Sequence, residues 1–175
     1  MAGEADKRNF RLILSLGSNQ GHRKANLERA LELIQSEIGS VSSISRTYET
    51  EAWGNPELSS FLNCVAIVES KLNLREAFSI TLSIERQLGR EKTPNAPRSK
   101  SYQDRIIDID LLYFEDKVLN DKDLIIPHPL LQERNFVLVP LVEIAPTWIH
   151  PILKKNSTQL LEECPDTNPL RALLD

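Results

Sequence analysis

Two aspartates, Asp108 and Asp110, stand inside the stretch DRIIDIDLLYF, where seven of eleven residues are apolar or aromatic. An unpaired carboxylate is costly to bury, so the pair calls for a partner that such a segment does not itself supply. A short run rich in Ile, Leu, Tyr and Phe predicts a strand over 104–114. Side chains of a strand alternate, which puts Asp108 and Asp110 on one face with Ile106, Leu112 and Phe114. Ile107, Ile109, Leu111 and Tyr113 are expected on the other. Residues two apart in a strand are separated by about 6.6 Å, so both carboxylates can address one small volume, large enough for two cations about 3.5–4 Å apart. Oxygen ligands with no histidine or cysteine beside them in the sequence point to Mg2+.

An Asp-x-Asp pair taken alone is more often a solvent-facing surface, or is salt-bridged to a neighbour such as Arg105. The preceding segment, REKTPNAPRSKSYQ, changes the balance. It holds two prolines, shows no apolar periodicity, and carries Arg90, Lys92, Arg98 and Lys100, with Arg105 just beyond. That composition predicts a long, mobile loop. Basic side chains able to hold a polyphosphate therefore lie beside carboxylates able to hold its metals. Arg90 and Arg105 are expected where the loop meets rigid elements, whereas any single lysine within it fits a solvated connection. Trp53, Phe61 and Asn63 flank a second loop, and aromatics near an amide can stack on and hydrogen-bond a flat heterocycle. Each of these alone fits a structural role, as does His128 between two prolines. LGSNQG lacks the Gly-Lys-Ser/Thr of a phosphate loop and the third glycine of a dinucleotide fingerprint, so it reads as a strand-to-helix turn.

The elements that must position these groups follow from periodicity. FRLILSLGSN predicts a first strand ending at Gly17. Leu27, Ala30, Leu31, Ile34 and Ile38 then recur at helical spacing, giving a helix over 24–37. A second strand is expected over 41–50 and a third at FLNCVAIVES. Asn73 is an N-cap with Glu76 three residues on, Ala77, Ile80, Ile84 and Leu88 form an apolar face, and Gly89 closes the helix. After the aspartate strand come a turn near Glu115 and Asp116, a short strand at 117–119, and one more helix within LIIPHPLLQERNFVLVPLVEIAP. The order strand, helix, strand, strand, helix, strand is that of a split βαβ unit. It predicts an α+β, ferredoxin-like βαββαβ sandwich with C-terminal additions, forming one domain over 10–175 after a flexible tail at 1–9.

The 175-residue chain is 41% hydrophobic and 26% charged, with a net charge of -4, which gives no general attraction to nucleic acid or anionic membrane. No apolar stretch approaches a membrane span, and MAGEADKRN lacks the apolar core of a signal peptide, so a cytoplasmic location is expected. Cys64 and Cys164 have no metal-ligand spacing and read as reduced thiols.

YETEAWG, FLN, IERQLGR, DRIIDIDLL, IPHPLLQERNFVLVPL and EIAP resemble, in that order, the motifs of the 6-hydroxymethyl-7,8-dihydropterin pyrophosphokinase family of folate biosynthesis. The resemblance implies transfer of the β,γ-pyrophosphoryl group of ATP to the pterin hydroxymethyl group, with release of AMP and with two Mg2+. By motif, Asp108 and Asp110 would be the metal ligands. Thr50, Glu51, Ala52, Trp53 and Asn63 would recognise the pterin edge, and Phe61 and Phe136 would sandwich its ring. Glu85, Arg90, Lys92, Arg105, His128 and Arg134 would line the ATP site, with Arg90 and Arg105 stabilising charge on the transferred group. The implied partners are the two small molecules, with no nucleic acid or membrane, and the implied state is a monomer. The chain departs from the family pattern at Lys92, where many relatives have arginine, at Tyr102, often tryptophan, and at Pro129, where tyrosine can occur. Its 90–105 loop is longer than in short bacterial forms. Two other classes use overlapping features: a non-catalytic RNA-binding module of the same fold, which the acidic balance and the lack of aromatic RNP segments disfavour, and a metal-dependent phosphohydrolase, which would release inorganic phosphate without needing a pterin.

Overall fold

The computed structural model describes residues 9–54, 57–89 and 104–174. β1 (Phe10–Ser18) is followed by α1 (Arg23–Glu37), β2 (Ser40–Ile44), β3 (Tyr48–Thr50), β4 (Phe61–Ser70), α2 (Leu74–Gln87) and β5 (Asp108–Phe114). β1 pairs antiparallel with both β4 and β5, and β2 and β3 both pair antiparallel with β4. Each crossover helix thus joins two parallel strands that have a third strand between them. Two such units interlock, which is the ferredoxin-like arrangement expected from the order of elements.

α1 and α2 cover one face of the sheet, where Leu12, Leu14 and Leu16 of β1 pack with Ile34 and Ile84. Each of these five is completely buried, and burial of such a side chain stabilises the fold by roughly 1.5–3 kcal/mol. The N-terminus of α2 is fixed as its sequence suggests. The Asn73 side chain accepts from the backbone of Arg75 and Glu76, and Glu76 accepts from Asn73 N, completing a capping box. Gly89, at φ 100°, then ends the helix in a backbone conformation that disfavours other residues.

The opposite face is covered by α3 (Asn135–Ile144) and α4 (Ser157–Glu162), with Val137, Leu138 and Leu141 over Ile13, Val65, Leu112 and Tyr113. Sequence periodicity anticipated one helix here, and the second was missed. A short ribbon of β6 (Leu119–Asn120) and β7 (Ile125–Ile126) precedes them, displaced from the strand expected at 117–119. A last strand, β8 (Leu170–Ala172), pairs with β3 and gives the sheet order β5-β1-β4-β3-β8, with β2 also on β4.

Three further expectations are corrected. The strand expected over 41–50 divides into β2 and β3 at Ser45, whose N donates to Val65 O at 2.9 Å while its Oγ accepts from Val65 N at 3.0 Å. A side chain takes a ladder bond there, and Arg46 N turns away to donate to Glu143 Oε1 at 3.1 Å. The aspartate strand begins at Asp108 rather than 104. Its faces also differ from strict alternation. Leu14 stands opposite Leu111 but Ile13 opposite Tyr113, so Leu112 is an extra residue, a β-bulge. Beyond it the faces exchange: Tyr113 joins Leu112 under α3, and Phe114 enters the core beneath α1 and α2.

Candidate functional site

Across the sheet, Tyr48, Asn63, Gly17 and Asp108 lie in register on β3, β4, β1 and β5. Beside this row, Thr50 stands opposite Phe61, and on the other side Asp110 stands opposite Ser15. Asn63, 3% exposed, donates from Nδ2 to Thr50 Oγ1 at 2.8 Å. Its Oδ1 lies over Gly17, where a Cβ would come within 2.8 Å of it and within 3.5 Å of Phe61 Cδ1. The glycine therefore leaves the sheet floor open between the amide and the first aspartate. Sequence reading treated LGSNQG only as a turn, and missed this role of Gly17.

The end of β1 also holds the approach to β5. Asn19, 4% exposed, donates to Asp104 Oδ1 at 2.6 Å and Ser59 O at 3.2 Å, and its Oδ1 accepts from Arg105 N at 2.6 Å. Asn26 of α1 donates to Ile106 O at 3.1 Å and to Ser18 Oγ at 3.1 Å. These amides pin the 104–106 segment, so that Arg105 Nη1 donates to Asp108 Oδ1 at 2.7 Å. Burial opposes the Arg105 cation, but Asp108, then Asp110 and Glu85, outweigh it and hold the guanidinium above its ordinary range. Neither asparagine was singled out from the sequence; a polar residue placed directly after an apolar strand was the available signal.

Asp110 points the same way with a different environment. His128 Nε2 is 3.8 Å and Arg134 Nη1 3.9 Å from its Oδ2, distances too long for hydrogen bonds. Burial first, and the Asp108 charge second, push the Asp110 carboxyl well above its ordinary range. A carboxylate in this position is short of positive charge, which is what a divalent cation supplies. His128, remote in sequence, is thus brought to the pair; its Nδ1 accepts from Leu130 N at 3.2 Å, which directs Nε2 at Asp110. Burial, then Arg134, lower its pKa to about 4, so the ring is neutral near pH 7. Glu85, 2% exposed, accepts from Ile109 N at 2.8 Å and braces β5 from α2. Among the described residues no group of three or more His, Cys, Asp or Glu could hold a metal ion. Two carboxylates suit Mg2+, which keeps waters and substrate phosphates in its remaining positions.

The Arg134 guanidinium stacks 4.9 Å from the Trp53 ring and 5.8 Å from the Phe136 ring, and its buried Nε has no hydrogen-bond partner among the described residues. Two aromatics and an arginine from distant segments thereby meet beside the aspartates. Ala52 is buried and Glu51 exposed. A cleft of about 340 Å³ opens along β5, with Glu85, Arg105, Asp108, Asp110 and His128 among its polar lining. Phe78, Leu82, Leu124, Ile125 and Pro129 add apolar lining, with Lys122 and Asp123. Sequence reading made none of these last seven a site residue. Arg90, Lys92, Arg98, Lys100 and Tyr102 lie outside the described residues.

An edge strand turning two carboxylates toward arginines, beside a cleft of mixed polar and apolar lining, suits a nucleotide polyphosphate and places the chain among the phosphoryl-transfer enzymes. The model of the 7,8-dihydro-6-hydroxymethylpterin-pyrophosphokinase (HPPK) family matches residues 13–146. The 2-amino-4-hydroxy-6-hydroxymethyldihydropteridine pyrophosphokinase of Porphyromonas gingivalis is 43% identical over 141 residues, covering 80% of this chain and 93% of that one. That of Aquifex aeolicus is 38% identical over 145 residues, covering 82% of this chain and 86% of that one. Wild-type Plasmodium falciparum HPPK-DHPS, solved with pterin and p-hydroxybenzoate, shares the fold with a TM-score of 0.70 at 17% identity. The match covers 91% of this chain and 44% of that chain, so this chain spans less than half of its length. The chain belongs to the HPPK family. It transfers pyrophosphate from ATP to 6-hydroxymethyl-7,8-dihydropterin, a step of folate biosynthesis.

Proposed function

We propose that this chain performs the transfer between two adjoining subsites, the cleft along β5 for ATP and the floor around Gly17 for the pterin. The observation that carries the assignment is the meeting of Arg105, His128 and Arg134 with Asp108 and Asp110 beside the cleft, with Asp108 in register with Asn63 across Gly17. In this reading the adenine lies against apolar lining such as Leu82 and Ile125, and the phosphates run toward the aspartates. Asp108 and Asp110 would hold two Mg2+, which would supply positive charge against the phosphates.

The chain's own residues do the rest by position and charge. Arg105, already held beside Asp108, and Arg134, whose buried Nε has no partner among the described residues, give fixed cationic donors for charge on the transferred group. Arg90 and Lys92 add to these in the same reading. Asn63 spends one amide hydrogen on Thr50 and presents Oδ1 to the amino or ring N–H groups of the pterin edge, with the 50–53 backbone alongside. Phe61 and Phe136 flank the ring. No covalent enzyme intermediate is required, because the hydroxyl attacks in line once both substrates are held. The neutral His128 contributes a hydrogen-bond donor to the phosphate end.

Residues 10–175 act in this reading as one pyrophosphokinase domain, a monomer in the cytoplasm with small molecules and not nucleic acid as partners. Among the described residues no helix is long and apolar enough to cross a membrane. The decisive assay measures AMP from ATP and Mg2+ with and without the hydroxymethyl pterin. AMP that depends on the pterin is expected; pterin-independent release of inorganic phosphate would instead support a phosphohydrolase.

A further inference from the structure

The pterin floor has two walls from distant parts of the chain. Thr50 lies at the end of β3, and Arg134 and Phe136 lie at the start of α3. Resting on the placement of the pterin at Asn63, we propose that residues 166–172 form a strap that sets the distance between these walls and so positions the pterin. The family match ends at residue 146, well before this segment.

The strap is tied at both ends. At α3, Asn135 N donates to Asp166 Oδ2 at 3.1 Å and Asn135 Nδ2 donates to Asn168 O at 2.7 Å. Asn135 is 7% exposed and sits between Arg134 and Phe136, so tethering it fixes the direction in which both neighbours leave the backbone. Asp166 Oδ1 also accepts from Asn168 N at 3.1 Å, which makes the anchoring turn rigid. At the other wall, β8 pairs Leu170 with Thr50, Arg171 with Glu49 and Ala172 with Tyr48, and Leu173 N donates to Thr47 O at 2.9 Å. Glu49 also accepts from Arg23 at 2.9 Å, and from Arg171 at 2.6 Å in an exposed pair that adds little to the joint. β3 is only three residues long. Paired on one side alone, so short a strand is weakly held, and β8 turns it into an interior strand. Tyr48 Oη donating to Glu143 Oε2 at 2.9 Å and Arg46 N donating to Glu143 Oε1 at 3.1 Å also join these walls, but near the far end of α3. At the site end Arg134 stacks on Trp53 through side chains alone, and the strap adds the backbone tie.

Arg171→Pro tests the device through the backbone. The pair 47/173 is hydrogen-bonded, so by antiparallel alternation 49/171 is as well, and proline at 171 removes that donor. The Arg171 side chain is 76% exposed and enters no core. Asp166→Ala releases the other anchor, and Arg171→Ala isolates the exposed ion pair with Glu49. Steady-state KM for pterin and for ATP, kcat, and calorimetric pterin titration with a non-hydrolysable ATP analogue and Mg2+ are measured on each, with thermal melts to verify folding. Arg171→Pro and Asp166→Ala are expected to raise the pterin KM about tenfold, equivalent to about 1.4 kcal/mol, while kcat and the ATP KM stay within about twofold. Arg171→Ala stays near wild type, because exposed ion pairs contribute little. An unchanged pterin KM in the folded variants, or an equal rise for ATP, overturns the strap. If Arg171→Pro fails to fold, Asp166→Ala decides. Asn63→Ala is run alongside: if it weakens pterin binding and the strap variants do not, only the strap is wrong. If none of them weakens it, the pterin placement fails and the strap with it.

Discussion

Gly17→Ala is the sharpest perturbation of the site, because one added methyl meets two pterin-floor residues at once. Its Cβ would lie 2.8 Å from Asn63 Oδ1 and 3.5 Å from Phe61 Cδ1. The second distance is ordinary contact, but the first is shorter than real Cβ contacts, so the Asn63 side chain must move. Asn63 cannot move freely, since its Nδ2 is 2.8 Å from Thr50 Oγ1 and the two residues are 3% and 5% exposed. Losing that bond in a buried setting costs roughly 1–3 kcal/mol, which is the expected fall in unfolding free energy in urea. The same displacement carries Oδ1 away from the ring edge, so pterin affinity measured with Mg2+ and a non-hydrolysable ATP analogue is expected to fall about tenfold or more. ATP-analogue affinity should stay within about twofold, because the β5 cleft does not use Asn63. A double-mutant cycle isolates the clash: in Gly17→Ala/Asn63→Ala the methyl meets no amide, so the double variant should be no less stable than Asn63→Ala alone. Additive losses in that cycle, or wild-type pterin affinity in Gly17→Ala, would refute the reasoning.

Asp110→Asn is expected to lower turnover roughly a thousandfold or more, several kcal/mol of lost charge stabilisation; retention of a tenth of wild-type activity would end the metal-ligand assignment. In EDTA the same variant should melt at or above the wild-type temperature, since Asp110 there is a partly buried charge repelled by Asp108. His150, 4% exposed, accepts from Ile152 N at 3.2 Å and Leu153 N at 3.1 Å through Nδ1, and burial lowers its pKa below the ordinary 6.5. The unfolded chain therefore binds a proton that the folded one refuses, so this contribution to stability is complete above pH 6.5 and declines as the pH falls below it. An imidazole NMR titration of His150 with a midpoint at or above 6.5 would contradict this.

Where a local rule decided structure, the sequence was readable. Asn73, Glu76 and Gly89 bound α2 as their types suggest, and FLNCVAIVES is β4 to the residue. The misses have physical causes that are not local. Ser45 ends β2 through a side-chain bond to Val65, twenty positions away, and no feature of residues 41–50 announces that partner. β8 is only three residues, too short for its alternation to mark a strand, and its strand character comes from β3, more than a hundred residues earlier. α4 was legible in principle, because Asn156 and Gln159 form the same capping box as Asn73 and Glu76. In the site, charged and ring-bearing residues were named by motif, and of these the structure brings Arg105, Asp108, Asp110, His128, Arg134, Trp53 and Phe136 together. The groups that aim them, Gly17, Asn19, Asn26 and Asn135, were not, because their work is to hold other segments.

The bulge at Leu112 explains how one strand carries both core and chemistry. β5 is the edge of the sheet, and Asp108 and Asp110 have side chains 24% and 37% exposed, so neither is sealed in an apolar interior. They face the cleft at the start of the strand, while Ile109 and Leu111 pack beneath α1 and α2. With strict alternation Tyr113 would follow Leu111 into that core and Phe114 would turn toward α3. The extra residue reverses both. Phe114 then fills the α1 and α2 side at 5.1 Å from Phe10, and Tyr113 packs under α3 at 5.9 Å from Trp148. A bulge also adds local twist and re-aims side chains next to it, which is why bulges recur beside active sites. Two residues before the bulge, Asp110 is thereby turned toward Arg134 and His128, while the remainder of the strand stays anchored in two cores. The carboxylates are held by a rigid strand without being surrendered to its interior, so a cation and a polyphosphate can complete their surroundings.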